Sequence, residues 1–236
     1  MEKADKSGNR SGYLHAQSPE ALWSGPLEWG LRNTALPLIA AKGRIRAMVW
    51  GLLTFLLVYG ALGACPLGQP SYLPLTSVDR AIPLLPWTLL IYASDYPFLL
   101  WILLSLKNPE DFSTAYYRII AGTIMSFSVF LIFPTVYPRP SIPMEPFWSD
   151  VFLYLHFLDQ PTNCFPSLHV SITLIGAASL HPWKRWVRVS GYLWAIAICL
   201  STLTTKQHYA LDVIGGMFVA MASIWLTSRL GLRGKI

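Results

Sequence analysis

Two short stretches carry residues suited to attacking a phosphate ester: Asn163-Cys164-Phe165-Pro166-Ser167-Leu168-His169 and, about forty residues later, Lys206-Gln207-His208-Tyr209-Ala210-Leu211-Asp212. His208 and Asp212 are four apart, hence on one helical face. A carboxylate bonded to one imidazole nitrogen fixes the tautomer and leaves the other nitrogen free to attack. His169, titrating near working pH, can protonate a leaving oxygen. With Pro166 at the first position of a helix, the amides of Ser167, Leu168 and His169 would point outward with the positive end of the helix dipole, an anion site to which the Ser167 hydroxyl adds a donor. Arg139, in Tyr137-Pro138-Arg139-Pro140, places a guanidinium on a stiff extended backbone and can grip two phosphate oxygens.

Each piece also has a structural reading. Arg139 could anchor a lipid headgroup, His169 could cap or pack at a helix start, and His208–Asp212 could be a pair that pins a helix. Asp212 falls just inside an apolar run, where an unpaired carboxylate is costly, so it must have a partner. Two histidines and an aspartate could also form a metal triad. Arg139 and Lys206 argue against a metal, because cations beside a cation are self-defeating, whereas beside a phosphate they are useful. No cofactor is expected.

The elements that must position these residues are membrane spans. The 236 residues are 53% hydrophobic and 13% charged, with ten Trp and eleven Tyr. A soluble fold of this size cannot hide so much apolar surface. The net charge of +6 raises nucleic acid as a partner. No stripe of Lys and Arg with interleaved aromatics supports it, and no nucleic acid is expected. The partners are instead the bilayer and a lipid phosphate substrate. No pattern specifies an oligomeric state. Cys65, Cys164 and Cys199 match no zinc spacing. Cys65 and Cys164 could share a side and a disulfide, although two unrelated small residues is the favoured reading.

Six apolar runs follow a polar start: 47–63, 85–106, 112–133, 167–180, 187–204 and 209–230. The fourth is short and needs its flanks or a start buried in protein. Pro86 suits the first turn of the second. The expected fold is therefore all-α, a polytopic six-transmembrane-helix bundle. It divides into a cytoplasmic N-terminal tail (1–46, without a signal peptide and with an interfacial stretch near 22–36), a six-span catalytic domain (47–230) and a cytoplasmic C-terminal tail (231–236). Lys42, Arg44, Arg46, Lys107, Lys184, Arg185, Arg188, Arg229, Arg233 and Lys235 fall on one side of six spans, which makes that side cytoplasmic. Both histidine stretches then face outward, in a bacterial inner membrane. The segment 134–146 reads as a Pro-rich loop. The segment 150–159 reads as amphipathic, with Val151, Phe152, Leu155 and Leu158 near one face, lying along the membrane and bordering lipid access. Within span two, Asp95 is either a site residue or a carboxylate at a helix break bonded to exposed backbone. Glu110 and Asp111 read as solvated charges at the start of span three.

Taken in order, the motifs resemble the type 2 phosphatidic acid phosphatase superfamily. Its pattern is Lys-x6-Arg-Pro, then Pro-Ser-x-His, then Ser-Arg-x5-His-x3-Asp. Arg139-Pro140, Pro166-Ser167-x-His169 and Ser201-x6-His208-x3-Asp212 match it over about residues 80 to 225. Ile132 and Thr202 stand where the pattern has lysine and arginine. With His208-Tyr209-x-x-Asp212 and Asp159-x3-Asn163-x-Phe165-Pro166-Ser167-Leu168-His169, these departures resemble the branch of inositol phosphorylceramide synthases and, more distantly, sphingomyelin synthases. The resemblance implies that His208 forms a phosphohistidine, Asp212 orients it, and His169 protonates the leaving alcohol and then activates water or an incoming hydroxyl. Ser167, Arg139 and Lys206 would hold the phosphate oxygens, without metal. The function expected is cleavage of a lipid phosphate ester at the non-cytoplasmic face. Hydrolysis is favoured over headgroup transfer because water is always available there. A non-catalytic lipid-binding protein is a further alternative, and a transporter has little support without an inverted repeat.

Overall fold

The computed structural model describes residues 36–65, 68–137, 145–158 and 161–231, with the Leu158 side chain excepted. Arg139, Asp159, most of the 22–36 stretch, and the C-terminal tail beyond Gly231 lie outside the described residues, as does the center of the Pro-rich loop.

Long apolar helices dominate. They are α1 (Arg44–Ala64), α5 (Pro109–Ile132), α8 (Arg185–Thr204) and α9 (Ala210–Arg229). A broken span runs from a 3₁₀ turn at Pro86–Thr88 through α3 (Leu89–Ala93) to α4 (Asp95–Ser105). Five stretches, Ala41–Ala64, Pro86–Ser105, Pro109–Ile132, Arg185–Thr204 and Ala210–Arg229, are long and apolar enough to cross a membrane. These mark a multi-pass membrane protein. The fourth expected span is α7 (Leu168–Ala178), apolar but shorter than the others. Two shorter helices, α2 (Ser77–Ala81) and α6 (Pro146–Leu158), complete the α-helical set among the described residues.

Local chemistry sets the boundaries. Pro86 opens the second span as expected. Pro97 lacks an N–H and its ring crowds the carbonyl four residues back, at Ala93, which accounts for the break at Ser94. Asn108 caps α5 by accepting the Glu110 amide, with Pro109 in the first turn. At that end Arg44 reaches from α1 to the Leu106 carbonyl, and His181 Nε2 lies 3.3 Å from Asp111 Oδ1. The Asp111 charge therefore has a partner rather than water alone.

The all-α expectation missed one feature. Ser71–Tyr72 (β1) and Thr135–Val136 (β2) form a two-residue parallel pair, joining the loops after α1 and α5. Backbone groups held near a membrane need partners, and irregular segments find them in each other. The sulfurs of Cys65, Cys164 and Cys199 are unlinked.

The center of the bundle is α7, packed by α4, α5, α8 and α9. The face that α9 turns toward α7 and α5 is built mostly of small residues. Asp212, Gly216, Ala220, Ser223 and Thr227 form one buried stripe on α9. Helices in lipid associate through close packing of such residues rather than through hydrophobic expulsion. A Cβ on Gly216 would lie 2.6 Å from the Ser167 carbonyl oxygen, a backbone atom with nowhere to move. By contrast, α1 buries no residue and is held to α5 by stacking of Phe55 on Phe127, centroids 5.7 Å apart, and by Tyr116 Oη donating to the Ala47 carbonyl at 2.8 Å.

Gly216→Ala should therefore push the start of α7 away from α9. We expect a lower thermal midpoint in detergent and loss of any turnover. Ala220→Gly, which keeps the approach open, should cost no more than about 1 kcal/mol from backbone entropy. Equal thermal midpoints for wild type and Gly216→Ala would contradict this packing.

Candidate active site

Ser167 is the N-cap of α7, not a residue of its first turn. The expectation that Pro166 opens the helix is corrected, since the helix begins at Leu168. The Ser167 amide does not point outward. It donates to the Asp212 carbonyl at 3.0 Å. Its hydroxyl accepts the Val170 amide at 3.4 Å. The local reason is that an N-cap serine satisfies one of the orphan amides of the first turn.

This contact places His169, two residues on, beside the segment that precedes α9. There Lys206 adopts a left-handed backbone, φ 56°, and the amides of Gln207 and His208 both donate to the Thr202 carbonyl, at 3.0 and 3.1 Å. This turn projects His208 back over α7. The His169 and His208 ring centroids lie 6.0 Å apart with planes at 58°. The two imidazoles expected from sequence are thus brought together.

Asp212 is fully buried, and its Oδ2 accepts the Tyr209 amide at 2.8 Å. His208 Nδ1 lies 3.5 Å from the same oxygen. Neither His208 Nδ1 nor Asp212 Oδ1 has a hydrogen-bond partner among the described residues. Asp212 therefore serves both as the reciprocal cap of α9 and as the carboxylate nearest His208.

Tyr92 was not singled out from sequence. Its ring stacks on His169, centroids 4.4 Å apart, and its hydroxyl lies 3.4 Å from His169 Nδ1. Tyr96 meets the same imidazole edge-on at 5.9 Å. Nδ1 of His169 thus faces Tyr92. Nothing local in the sequence links residue 92 to residue 169, although a tyrosine beside a helix break was a visible signal.

Asp79 was also missed. Its carboxylate accepts the Thr76 amide at 2.8 Å, the Thr76 hydroxyl at 2.6 Å and the Ala210 amide at 2.7 Å. It thereby caps α2 and, across the fold, the first turn of α9. Burial works to raise this carboxyl, but the Thr76 hydroxyl, the Ala210 and Thr76 amides and the Lys206 charge outweigh burial and hold it below its ordinary value of 3.8. Lys206 Nζ donates to the carbonyls of Asp79 and Ile82, at 2.9 and 2.5 Å. Burial lowers the Lys206 ammonium, and Asp79 partly restores it. One of its three donors remains.

Two cavities meet at His208. The larger, about 400 Å³, runs between α1, α3, α4 and α6, and both histidines line it. Its walls include Leu52, Phe55, Leu90 and Leu155. The smaller, about 300 Å³, lies on the loop side and is lined by Asp79, Lys206, His208 and Tyr209. Tyr137, against Tyr209 at 4.0 Å, borders both. Ser167 lines neither cavity. Asn163, at φ 58°, lines the larger one with its Nδ2 unpartnered among the described residues. Of the α6 face expected from sequence, Phe152 is buried and Val151 and Leu155 pack with Leu89 and Tyr92, while the Leu158 side chain lies outside the described residues.

Residues 75–226, more than half of the chain, match the family model described as the PAP2 superfamily. The chain belongs to this superfamily, whose membership is consistent with phosphatase or phosphotransferase activity. No curated protein matches it.

Asp79→Ala should destabilise the protein by about 1–2 kcal/mol, the value of a lost cap and its bonds. The Asp79 contribution is complete above pH 3.8 and is lost as pH falls through its lower folded value. Thermal midpoints of wild type and variant should accordingly differ at neutral pH and converge in acid. A constant gap across that range would refute the assignment.

Proposed function

We propose that this chain is an integral-membrane enzyme that cleaves the phosphate ester of a lipid through a phosphohistidine on His208. The observation that carries the reading is the pair of imidazoles 6.0 Å apart at the polar end of an apolar cavity. A phosphoryl group seated between them has a nucleophile on one side and a proton donor on the other.

Asp212 Oδ2, 3.5 Å from His208 Nδ1, favours the proton on that nitrogen and would take it as a hydrogen bond once the ring turns onto substrate, so Nε2 carries the lone pair and attacks phosphorus. The N–P bond forms as the ester P–O bond breaks, and His169 gives its Nε2 proton to the departing alkoxide. Water then enters where the alcohol left. His169 takes its proton, the N–P bond breaks, and inorganic phosphate and free His208 result. Positioning and charge stabilisation supply most of the catalysis in such transfers. Arg139, the remaining Lys206 donor and the N-terminal turn of α7 are the groups assigned to the phosphate oxygens, whereas Ser167, expected among them from the sequence, is fully buried as the cap and lines neither cavity. By the positive-side bias of the loops the site faces outward, with the termini cytoplasmic.

A second reading, headgroup transfer between lipids as in the inositol phosphorylceramide synthase branch, draws on the missing cations. Ile132 is 82% exposed and lines neither cavity, and Thr202 is buried with its carbonyl taken by two amides. With those two charges absent, a singly charged diester costs less to seat than a doubly charged monoester.

His208→Ala should abolish turnover of every lipid phosphate and trapping of labelled phosphoenzyme. His169→Ala should slow turnover by about 10²–10⁴. A panel of phosphatidic acid, phosphatidylglycerol phosphate, a prenyl diphosphate and a phosphodiester lipid, with and without inositol, separates hydrolysis from transfer. Undiminished activity in a folded His208→Ala protein defeats the proposal.

A further inference from the structure

The mechanism above leaves a buried carboxyl of the larger cavity unused. Asp95 sits where the second span breaks, is 1% exposed and lines the cavity that holds His169 and His208. The break leaves it at the head of α4, and the sequence alternative of bonding to exposed backbone is not what the fold shows. Its Oδ1 accepts the Thr173 hydroxyl. Its Oδ2 has no hydrogen-bond partner among the described residues. Burying half a carboxyl unpaired in an apolar span costs free energy that a purely structural tie to Thr173 does not require. A serine or asparagine would hold Thr173 at lower cost.

Thr173 is four residues after His169, on the same face of α7 and about 6 Å further along the axis. A lipid whose phosphate lies at the two histidines must pass its backbone carbons along this depth on the way to its tails. The group that meets Asp95 is the one next to the ester-bearing carbon. A free hydroxyl suits the carboxyl in either state, because it donates to the carboxylate and accepts from the acid. An acylated oxygen or a bare methylene does not.

We propose that Asp95 is a specificity-determining residue that pairs through Oδ2 with a free hydroxyl on the lipid carbon adjacent to the one bearing the phosphate ester. The inference rests on the phosphoryl-transfer reading of the site. It selects among substrates of that reaction, favouring backbones with an unacylated hydroxyl over diacylated glycerols and prenyl chains.

The test uses the full chain in nanodiscs and a matched pair of probes, 1-acyl-glycerol 3-phosphate and the acylated propane-1,3-diol phosphate that lacks only the 2-hydroxyl. Binding is read as the concentration giving half-maximal thermal protection, and turnover as phosphate release. Wild type should bind the hydroxyl lipid at least tenfold more tightly. Asp95→Leu should abolish that ratio, whereas Asp95→Asn, which keeps a partner for Thr173 and a second polar atom, should retain most of it. A stability role alone would shift the midpoint of the free protein and leave the ratio unchanged. Equal binding of the two probes to wild type overturns the assignment even where Asp95→Leu does not fold, as does a wild-type ratio in a folded Asp95→Leu. Failure of any lipid phosphate to bind or react overturns the phosphoryl-transfer reading instead.

Discussion

The docking of one helix start against another governs this structure. The Ser167 amide donates to the Asp212 carbonyl at 3.0 Å, and Gly216 lets the Ser167 carbonyl approach where any Cβ would collide at 2.6 Å. His169 follows Ser167 by two residues and His208 precedes Asp212 by four. The separation of the imidazoles is therefore set by backbone against backbone, the least deformable contact in a protein. Side-chain rotamers adjust only the last ångström. A site that works by positioning gains from this, because the chemical groups need no reorganisation when substrate arrives.

The loops at the histidine end of the bundle act as a clamp on the same joint. Asp79 reaches across the fold to cap α9, while Lys206 returns to the carbonyls of Asp79 and Ile82. The Leu85 amide donates to the Thr204 carbonyl at 2.9 Å, and β1–β2 ties the two remaining loops. Two carboxylates thus do structural duty at one helix start: Asp79 holds the Ala210 amide and Asp212 the Tyr209 amide. Because Asp212 also stands beside His208, the cap and the placing of that imidazole share one side chain. Loosening the cap would shift the group proposed as nucleophile.

Sequence made the spans legible because hydropathy over a long window depends on composition alone. It also made the histidine stretches legible, since His-x3-Asp and Ser-x-His are local spacings. It misplaced the start of α7 because proline at a first turn and proline before an N-cap look alike in a string. The Ser167–Asp212 bond that decides between them joins residues far apart in the chain. The partners of Tyr92, Asp79 and Thr173 were invisible for the same reason. Each acts on a residue of another helix, and no periodicity records that. Asp95 was readable as an anomaly, a carboxylate in an apolar run, but its partner was not. The β1–β2 pair is too short to leave a pattern.

The loosely held α1 has a physical logic. It buries no residue and packs chiefly on α5, through aromatic stacking and one hydroxyl, with Arg44 tied to the Leu106 carbonyl at one end. On its other flank the larger cavity opens toward α3, α4 and α6. In water such an apolar gap would close, since collapse removes surface from solvent. In a bilayer, acyl chains fill it without hydrophobic penalty, so nothing drives α1 inward. A gap that lipid can occupy at no cost is one through which lipid can also travel. Its α1 wall is apolar or aromatic, while His169, His208, Asn163 and Asp95 line it elsewhere. The membrane thus keeps open the route that the bundle, taken by itself, has no means of holding.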